Sequence, residues 1–234
     1  MIENKKILLF IATYNEAENI EQLIRKIQDQ SINIDILIID DNSPDKTSEI
    51  IEEIKNENKN IYLIKRSGKL GLDTAHKEAY EYALKNNYDY LITMDADLSH
   101  DPVELMKFIK NLEAYDFVIG SRYIPGGKCL MRGRRLFISK YGNMFMKFFL
   151  NINCSEFTTS YRGFNLKNLK NFHLNLIKVK GYSFFMGTIY EIFKRNFSVK
   201  EIPICFQDRK KGYSKIPKIE IIRTLINLIF LRIK

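Results

Sequence analysis

The chain has 234 residues, of which 45% are hydrophobic and 28% are charged, so it can bury a substantial core and is not a disordered polypeptide. Its three cysteines, Cys129, Cys154 and Cys205, belong to no CxxC pair and to no Cys/His cluster, which argues against a zinc site or a disulfide framework. We expect free thiols in a reduced, cytoplasmic protein without a signal peptide.

The net charge of +9 is unevenly distributed along the chain. Residues 1–116 contain 14 Lys and Arg and 23 Asp and Glu residues, whereas residues 117–234 contain 23 and 5. No acidic residue lies between Asp116 and Glu156. This asymmetry predicts an anionic partner for the second half, and nucleic acid, an anionic membrane surface and a phosphorylated substrate are all compatible with it.

Short apolar runs alternate with amphipathic runs over the first 120 residues. The predicted strands are 6–13, 35–40, 61–65, 89–94 and 116–121. The predicted helices are 16–28, 45–56, 74–85 and 102–112. Asp45 and Asp101 are predicted N-caps, and Pro102 suits a first helical turn. This order predicts an α/β domain with a mostly parallel central sheet flanked by helices.

The second half is less regular. A basic, aromatic helix is predicted at 136–150, another helix at 184–196 and a strand at 199–206. The last segment, 217–234, is mostly apolar but contains Arg223 and Arg232, and its uninterrupted apolar length is well short of the ~20 residues that span a bilayer. It is predicted to be either a helix docked on the core or an interfacial membrane helix.

Polar clusters follow three of the predicted strands, at 13–16, 40–43 and 95–97. Ligands of parallel sheets bind beyond the carboxyl ends of the strands, so these clusters predict one site. Two carboxylates at a strand end repel each other unless a cation is present, and Mg2+ or Mn2+ prefers such oxygen ligands. Asp95 and Asp97 are therefore a candidate metal-diphosphate site, the alternative being a solvated loop with a capping Asp.

The ordered motifs resemble those of family-2 glycosyltransferases with a GT-A fold, and within them the dolichyl- or polyprenyl-phosphate mannosyltransferases. The matching segments are 13–16 (TYNE), 40–47 (DDNSPDKT), 69–72 (KLGL), 94–102 (MDADLSHDP), 120–123 (GSRY) and 209–215 (RKKGYSK). Several positions depart from the pattern, among them two that lie beside or within the matching segments 69–72 and 94–102. Asp73 stands where the family has Gly, which predicts crowding of the loop, and Ser99 stands where some relatives have Gln.

The resemblance implies a role for each matching position. Nucleotide-sugar binding is implied for Tyr14, Glu16, Asp40, Asp41, Asp95, Asp97, Arg209 and Lys215. Metal binding is implied for Asp95 and Asp97, with Mg2+ or Mn2+ as the cofactor. Binding of the acceptor phosphate is implied for Arg122, Arg135 and Ser139, and the last two lie one helical turn apart. Catalysis would depend on Asp97, Arg122 and Arg135.

The implied reaction is inverting transfer of mannose from GDP-mannose to a polyprenyl or dolichyl monophosphate. A phosphate monoester is largely ionised at neutral pH and needs no general base. Another donor such as UDP-glucose, or a non-lipid acceptor, is the alternative. A nucleic-acid-binding protein and an inactive membrane scaffold are less compatible with the acidic first half and with the intact Asp95/Asp97 pair.

A lipid acceptor implies that the protein associates peripherally with the cytoplasmic surface of the membrane. A membrane-anchoring partner subunit is a further possibility of this kind of enzyme. An amphipathic surface is predicted either to rest on the membrane or to pack against the catalytic domain. Its residues are Phe145, Phe148, Phe149 and Leu150, beside Lys140 and Lys147. The predicted catalytic domain is 1–216, with a nucleotide-sugar-binding half at 1–121 and an acceptor-binding half at 122–216. The C-terminal apolar helix is 217–234.

Overall fold

A mostly parallel sheet forms the centre of the protein in a computed structural model that describes residues 5–208 and 219–233. Its strands are β1 (Ile7–Thr13), β2 (Asp35–Asp40), β3 (Ile61–Lys65), β4 (Tyr90–Asp95), β5 (Phe117–Ser121), β7 (Arg162–Asn165) and β8 (Val199–Pro203), in the order β3-β2-β1-β4-β7-β5-β8. A separate pair comprises β6 (Lys128–Cys129) and β9 (Cys205–Phe206).

Helices cover both faces of this sheet. They are α1 (Ile20–Gln28), α2 (Thr47–Glu57), α3 (Leu72–Lys85), α4 (Leu105–Leu112), α5 (Gly133–Leu150), α6 (Ser183–Lys194) and α7 (Ile219–Ile233). Side chains alternate along each strand, so Leu9 and Ile11 pack with α1, α2 and α4, whereas Leu8 and Phe10 pack with α3, α5, α6 and α7. The predicted α/β fold class is confirmed.

Strand β7 was not predicted, and it runs antiparallel between β4 and β5. Its sequence is only four residues long and includes Gly163, so it lacks an alternating apolar signal. A Cβ on Gly163 would lie 2.9 Å from Leu112 Cδ1, and glycine thus allows α4 to pack directly on β7. The predicted strand 199–206 is wrong as one element, since β8 joins the central sheet and β9 pairs with β6.

Helix starts differ from the predictions by a few residues. Of the two predicted caps, Asp101 is confirmed, whereas the N-cap of α2 is Lys46 and Asp45 lies one residue before it. Helix α1 begins later than 16 because the Asn19 and Ile20 amides form a turn on the Glu16 carbonyl. Asp45 accepts a hydrogen bond from the Thr47 amide at 3.1 Å. Asp101 accepts one from Val103 at 3.2 Å, at the start of a 3₁₀ turn that precedes α4.

Asp73 does not crowd the loop as predicted. Its carboxylate is buried in the first turn of α3, and its Oδ1 accepts a hydrogen bond of 3.1 Å from the Gly181 amide. This bond ties the segment before α6 to the start of α3. A side chain at this position is therefore a structural link between the two halves of the chain.

Helix α7 docks on the core, as one of the two sequence interpretations predicts. Leu228 and Leu231 are buried in the cluster formed with α5 and α6. Within the described part of the chain, no helix has the length and apolarity needed to cross a bilayer. On α5 the predicted membrane residue Leu150 is instead buried and Phe149 is half-buried, because the inner face of that helix packs on the sheet.

His76 gives the core a dependence on pH. Its ring lies against Phe10 and Phe185, and burial, with a smaller contribution from Arg162, lowers its pKa from 6.5 to about 3. Between pH 6.5 and pH 3 the imidazole of His76 is therefore protonated in the unfolded chain but neutral in the folded chain. Protonation thus favours the unfolded state, and the free energy of unfolding falls as the pH is lowered through this range. From pH 7 to pH 5 we expect His76 to contribute about 2 kcal/mol to the loss of stability measured by urea unfolding, so the loss in a His76→Leu variant should be smaller by that amount. Equal losses in both proteins would contradict this expectation.

Candidate active site

The polar clusters at the carboxyl ends of β1, β2 and β4 meet at one edge of the sheet, as predicted. Thr13 at the end of β1 pairs in register with Asp40 on β2. On the other side of β1, Ala12 pairs with Asp95 on β4. The parallel register thus brings residues from three distant parts of the chain to one site.

Asp40 is fully buried, and its carboxylate accepts four hydrogen bonds from neighbouring loop and strand residues. Its donors are Thr13 Oγ1 at 2.8 Å, the Ser43 amide at 2.9 Å, Ser43 Oγ at 2.6 Å and Ser48 Oγ at 2.7 Å. These four bonds fold the loop after β2 back onto the sheet edge. Asp40 therefore shapes the candidate nucleotide site, and its direct contact with a nucleotide stays a prediction.

Asp41 forms a buried ion pair with Arg66, a residue that the sequence motifs did not single out. The same guanidinium donates hydrogen bonds to Thr74 Oγ1 at 2.6 Å and to the Gly71 carbonyl at 3.1 Å. Gly71 has φ of 102°, which glycine adopts without strain. Arg66 thus fixes the loop between β3 and α3 against the end of β2.

Tyr14 and Glu16 lie on the loop after β1, beside this pair. Lys69 Nζ lies 4.2 Å from the centre of the Tyr14 ring. Glu16 is buried, accepts a hydrogen bond of 2.9 Å from Asn19 Nδ2, and its amide donates to Thr47 Oγ1 at 3.0 Å. Tyr14, Glu16, Asp40 and Asp41 are therefore grouped around one end of β1 and β2, where we predicted a nucleotide.

Asp95 and Asp97 form a turn directly after β4. The Asp95 side chain is 36% exposed, and its Oδ1 accepts a hydrogen bond of 2.5 Å from Ser160 Oγ. Asp97 is buried and its Oδ1 accepts one of 3.1 Å from the Ser99 amide. The Ser99 hydroxyl is buried, and no hydrogen-bond partner for it occurs among residues 5–208 and 219–233.

These groups fit a divalent cation in part. Two carboxylates and an unsatisfied hydroxyl suit a hard cation that completes its coordination with substrate phosphates and water, as Mg2+ usually does. A cluster of three or more His, Cys, Asp or Glu side chains able to hold a metal unaided does not occur in the described part of the chain. We therefore infer a site that is complete only with a diphosphate donor.

His100 supports the Asp95 turn and was not identified from the sequence. It is fully buried, its Nδ1 accepts a hydrogen bond of 3.1 Å from the Asp95 amide, and its Nε2 lies 3.3 Å from Thr159 Oγ1. Burial lowers the pKa of His100, so the ring is neutral with its proton on Nε2. The only sequence signal was its position five residues after the strand end.

The segment 156–162 connects the two sides of the site. Ser160 and Thr159 contact Asp95 and His100, as described above, while Glu156 at the other end of the segment binds Arg122. Arg162 anchors the segment from beneath, since its guanidinium donates to three backbone carbonyls at 2.8 to 3.1 Å. One short stretch thus contacts both the Asp95 turn and Arg122.

Arg122 is held rigidly rather than presented freely to solvent. Its Nε and Nη2 donate to the two Glu156 oxygens at 2.6 and 2.7 Å, and Nη2 also donates to Thr158 Oγ1 at 2.7 Å. Burial alone would lower the pKa of Arg122, but Glu156 outweighs burial and raises it. Arg122 is therefore a permanent, oriented cation at the end of β5.

The other predicted acceptor residues lie next to Arg122. The Arg122 guanidinium lies 5.1 Å from the centre of the Tyr123 ring, and Tyr123 Oη donates a hydrogen bond of 2.7 Å to Ser139 on α5. One turn earlier on α5, Arg135 is half-exposed and forms an ion pair of 3.0 Å with Asp208. Ser139 is thus linked to Arg122 through Tyr123, and Arg135 lies one helical turn before Ser139. The predicted residues Arg209 and Lys215 lie outside the described residues.

This fold, with carboxylates at the ends of the parallel strands, is that of GT-A nucleotide-sugar transferases. Residues 9–172 match the model of glycosyl transferase family 2, and the chain belongs to this family.

Two relatives resemble most of the chain. It is 34% identical over 215 residues to polyprenol monophosphomannose synthase of Mycolicibacterium smegmatis, with 91% of this chain and 81% of the relative covered. It is 32% identical over 212 residues to undecaprenyl-phosphate mannosyltransferase of Micrococcus luteus, with 90% and 87% covered. Mannosyltransferases that act with polyprenyl phosphates are therefore among its relatives by name.

Solved structures share the fold at low sequence identity. Glucosyl-3-phosphoglycerate synthase from Mycobacterium tuberculosis, in complex with Mn2+, UDP and glucosyl-3-phosphoglycerate, has a TM-score of 0.68 at 16% identity, with 98% of this chain and 80% of that chain covered. A mannosyltransferase from Pyrobaculum calidifontis, in complex with GDP-Man and Mn2+, has a TM-score of 0.56 at 16% identity, with 89% and 59% covered. Both likenesses establish the fold alone.

Proposed function

We propose that the protein transfers mannose from GDP-mannose to a polyprenyl monophosphate, with inversion at the anomeric carbon. The observation that carries this proposal is the opposition of charge across one site. Asp95 and Asp97 lie on one side, Arg122 and Arg135 lie on the other, and the segment 156–162 joins the two sides. The names of the two polyprenyl-phosphate relatives support the acceptor, and the GDP-Man complex of the same fold is compatible with the donor.

On the donor side, the protein's own groups bind and orient the nucleotide sugar. Contact with the nucleoside is assigned to Tyr14, Glu16, Asp40 and Asp41, and contact with the phosphates to Arg209 and Lys215, in both cases from the sequence motifs. A divalent cation held by Asp95 and Asp97 would act as a Lewis acid that neutralises charge on the leaving diphosphate. The Mn2+ complexes of the two solved structures support such a cofactor, with Mg2+ or Mn2+ as the candidates.

On the acceptor side, the nucleophile is a phosphate oxygen that carries negative charge at neutral pH, because the second pKa of a phosphate monoester is about 6. What the protein must supply is position, and arginine suits this by its forked geometry. The surface ion pair of Arg135 with Asp208 is weak, so an incoming phosphate can replace Asp208. The phosphate oxygen then forms the bond to the anomeric carbon as the bond to the diphosphate breaks, without a covalent enzyme intermediate.

A UDP-sugar donor is the second candidate. The observation in its favour is that the synthase of known structure named above binds UDP, and its product carries a phosphate on the acceptor. Such a donor, or a non-lipid phosphate acceptor, would use the same opposition of carboxylates and arginines. The mechanism is then unchanged and only the substrates differ.

A transfer assay separates these candidates. Labelled sugar from GDP-mannose and, in parallel, from UDP-glucose is offered with a polyprenyl phosphate, in the presence of Mg2+, Mn2+ or EDTA. We expect metal-dependent labelling of the organic phase from GDP-mannose alone. Labelling from UDP-glucose alone would replace the donor, and no lipid labelling from either, with an active control enzyme, would reject the polyprenyl phosphate acceptor.

Arg135→Ala should reduce kcat/KM for the polyprenyl phosphate about 10-fold to 100-fold, since a hydrogen bond to a charged group is lost. Arg134→Ala is the matched control, because Arg134 is also an exposed arginine of α5 and its substitution removes the same charge. Initial rates at varied acceptor concentration measure both effects. Equal reductions would indicate a general charge effect and contradict the assignment of Arg135.

A lipid acceptor also requires work at a membrane surface, which we propose to be cytoplasmic and peripheral. The exposed apolar side chains of α5 fit this use, and they are Phe137, Ile138, Tyr141, Met144, Phe145 and Phe148. The division into a donor half at 1–121, an acceptor half at 122–216 and a C-terminal segment from 217 stays a sequence-based prediction, and α7 lies within that segment. A membrane-anchoring partner subunit stays a sequence-based prediction.

A further inference from the structure

Helix α7 has a second apolar face, which points away from the core. Leu228 and Leu231 face inward, whereas Ile226, Ile229 and Ile233 face outward and are 62%, 51% and 81% exposed. A helix that is apolar on opposite faces is normally buried on both. The outward face therefore calls for a second apolar environment.

A cationic groove of about 590 Å³ runs along one side of this face. It lies between the segment 178–181 and α7, and its lining residues are Lys178, Val179, Lys180, Gly181, Arg223, Ile226, Asn227 and Phe230. Three of these are cations, and none of the described lining residues is a carboxylate. Charged and apolar groups thus line the same groove, which fits a ligand with an anionic head and an apolar tail rather than a nucleic acid.

The groove is distinct from the candidate acceptor site. The acceptor residues Arg135 and Ser139 lie in the first half of α5, next to Tyr123. The groove is formed instead by α7 and by the segment that Gly181 ties to Asp73 at the start of α3. It therefore belongs to a different set of elements, although α7 itself packs against α5.

We propose that this groove binds the headgroup of an anionic phospholipid of the membrane leaflet, while the outward face of α7 contacts the acyl chains. Charge complementarity selects this occupant, because an anionic leaflet attracts lysine and arginine side chains and an interfacial helix buries its apolar face at the same depth. The inference rests on the proposed function in so far as that function places the protein at a membrane. The phospholipid would be a docking ligand and not the sugar acceptor.

Docking at the groove has a consequence for the reaction. Because α7 packs on α5 and both helices expose apolar side chains, a lipid held by α7 would also bring the exposed face of α5 to the bilayer. Arg135 on α5 would then lie at the level of the bilayer headgroups, where the phosphate of a polyprenyl phosphate is located.

The test is flotation of the full chain with vesicles of phosphatidylcholine alone and of phosphatidylcholine mixed with phosphatidylglycerol, without donor or acceptor. We expect binding to the mixed vesicles only, weakened by salt. The double variant Lys178→Gln with Lys180→Gln should bind the mixed vesicles roughly 30-fold more weakly. Each lysine near an anionic surface contributes roughly fivefold to binding. Lys26→Gln with Lys55→Gln, on α1 and α2, removes the same charge elsewhere and should leave binding unchanged.

Three results would overturn the inference: equal binding to both vesicle types, equal weakening in both double variants, or occupation of the α7 face by a second copy that keeps the protein off vesicles. Failure of the proposed function is read separately, by sugar transfer in detergent with a polyprenyl phosphate. Charge-dependent vesicle binding without sugar transfer would reject the proposed function and support the phospholipid site. Sugar transfer without vesicle binding would support the proposed function and reject the phospholipid site.

Discussion

Asp97→Asn should reduce sugar transfer by at least about 100-fold, as expected when a fixed electrostatic group of a catalytic site is removed. The Asn Oδ1 can still accept the hydrogen bond of 3.1 Å from the Ser99 amide, so the turn after β4 keeps its shape. What is lost is one of the two carboxylate charges that would hold the cation. Initial rates at varied Mn2+ concentration, with circular dichroism to verify the fold, measure the effect.

Asp101→Asn is the matched control for this variant. Asp101 lies four residues further along, and it caps the 3₁₀ turn through the Val103 amide. It carries the same charge but faces the start of a helix, so near-normal transfer is expected. Removal of metal from the unaltered protein with EDTA should reproduce the loss seen in Asp97→Asn. Near-normal turnover of Asp97→Asn would contradict the metal-site assignment.

The first half of the chain could be predicted well because its signals are local. Buried parallel strands are continuous apolar runs, and their helices carry a clear period and, before α4, the cap Asp101. Once the order of strands and helices is known, parallel pairing places the ends of β1, β2 and β4 side by side. The convergence of Asp40 and Asp95 at one edge therefore followed from the sequence without any knowledge of distances.

Several supporting contacts of the site could not be predicted, because they join residues far apart in the chain. Ser160 reaches Asp95 across 65 residues, and Arg66 reaches Asp41 across 25. No spacing rule encodes such pairs. Strand β7 was missed for a related reason, since its place between β4 and β5 depends on Gly163 fitting against α4 and not on its own propensity.

Asp40 shows a different limit. Its residue type and its position at a strand end are those of a ligand-binding carboxylate, and the sequence motif implies that role. The structure places it in a network of four hydrogen bonds from Thr13, Ser43 and Ser48. A carboxylate that shapes a loop and one that contacts a ligand have the same sequence signature, and only the hydrogen-bond partners distinguish them.

Glu156→Ala should destabilise the protein by about 3–5 kcal/mol, because it leaves the buried Arg122 guanidinium without its counter-charge. Burial would raise the pKa of Glu156, but Arg122 and the hydrogen bonds from Thr158 outweigh burial and hold it below the ordinary value of 4.5. The ion pair therefore contributes stability above pH 4.5 that is lost as the pH falls through the lower, folded pKa. Urea unfolding at neutral and acidic pH measures both effects.

Glu21→Ala is the control for this change. Glu21 pairs with Arg25 one turn further along α1, where both side chains are exposed, so its loss should cost no more than about 1 kcal/mol. Glu156→Gln then separates structure from function. It keeps the side-chain shape but leaves Arg122 less firmly oriented, so KM for the polyprenyl phosphate should rise while KM for the donor is unchanged. Equal changes in the two KM values would mean that Glu156 maintains the whole site and does not position Arg122 for the acceptor phosphate.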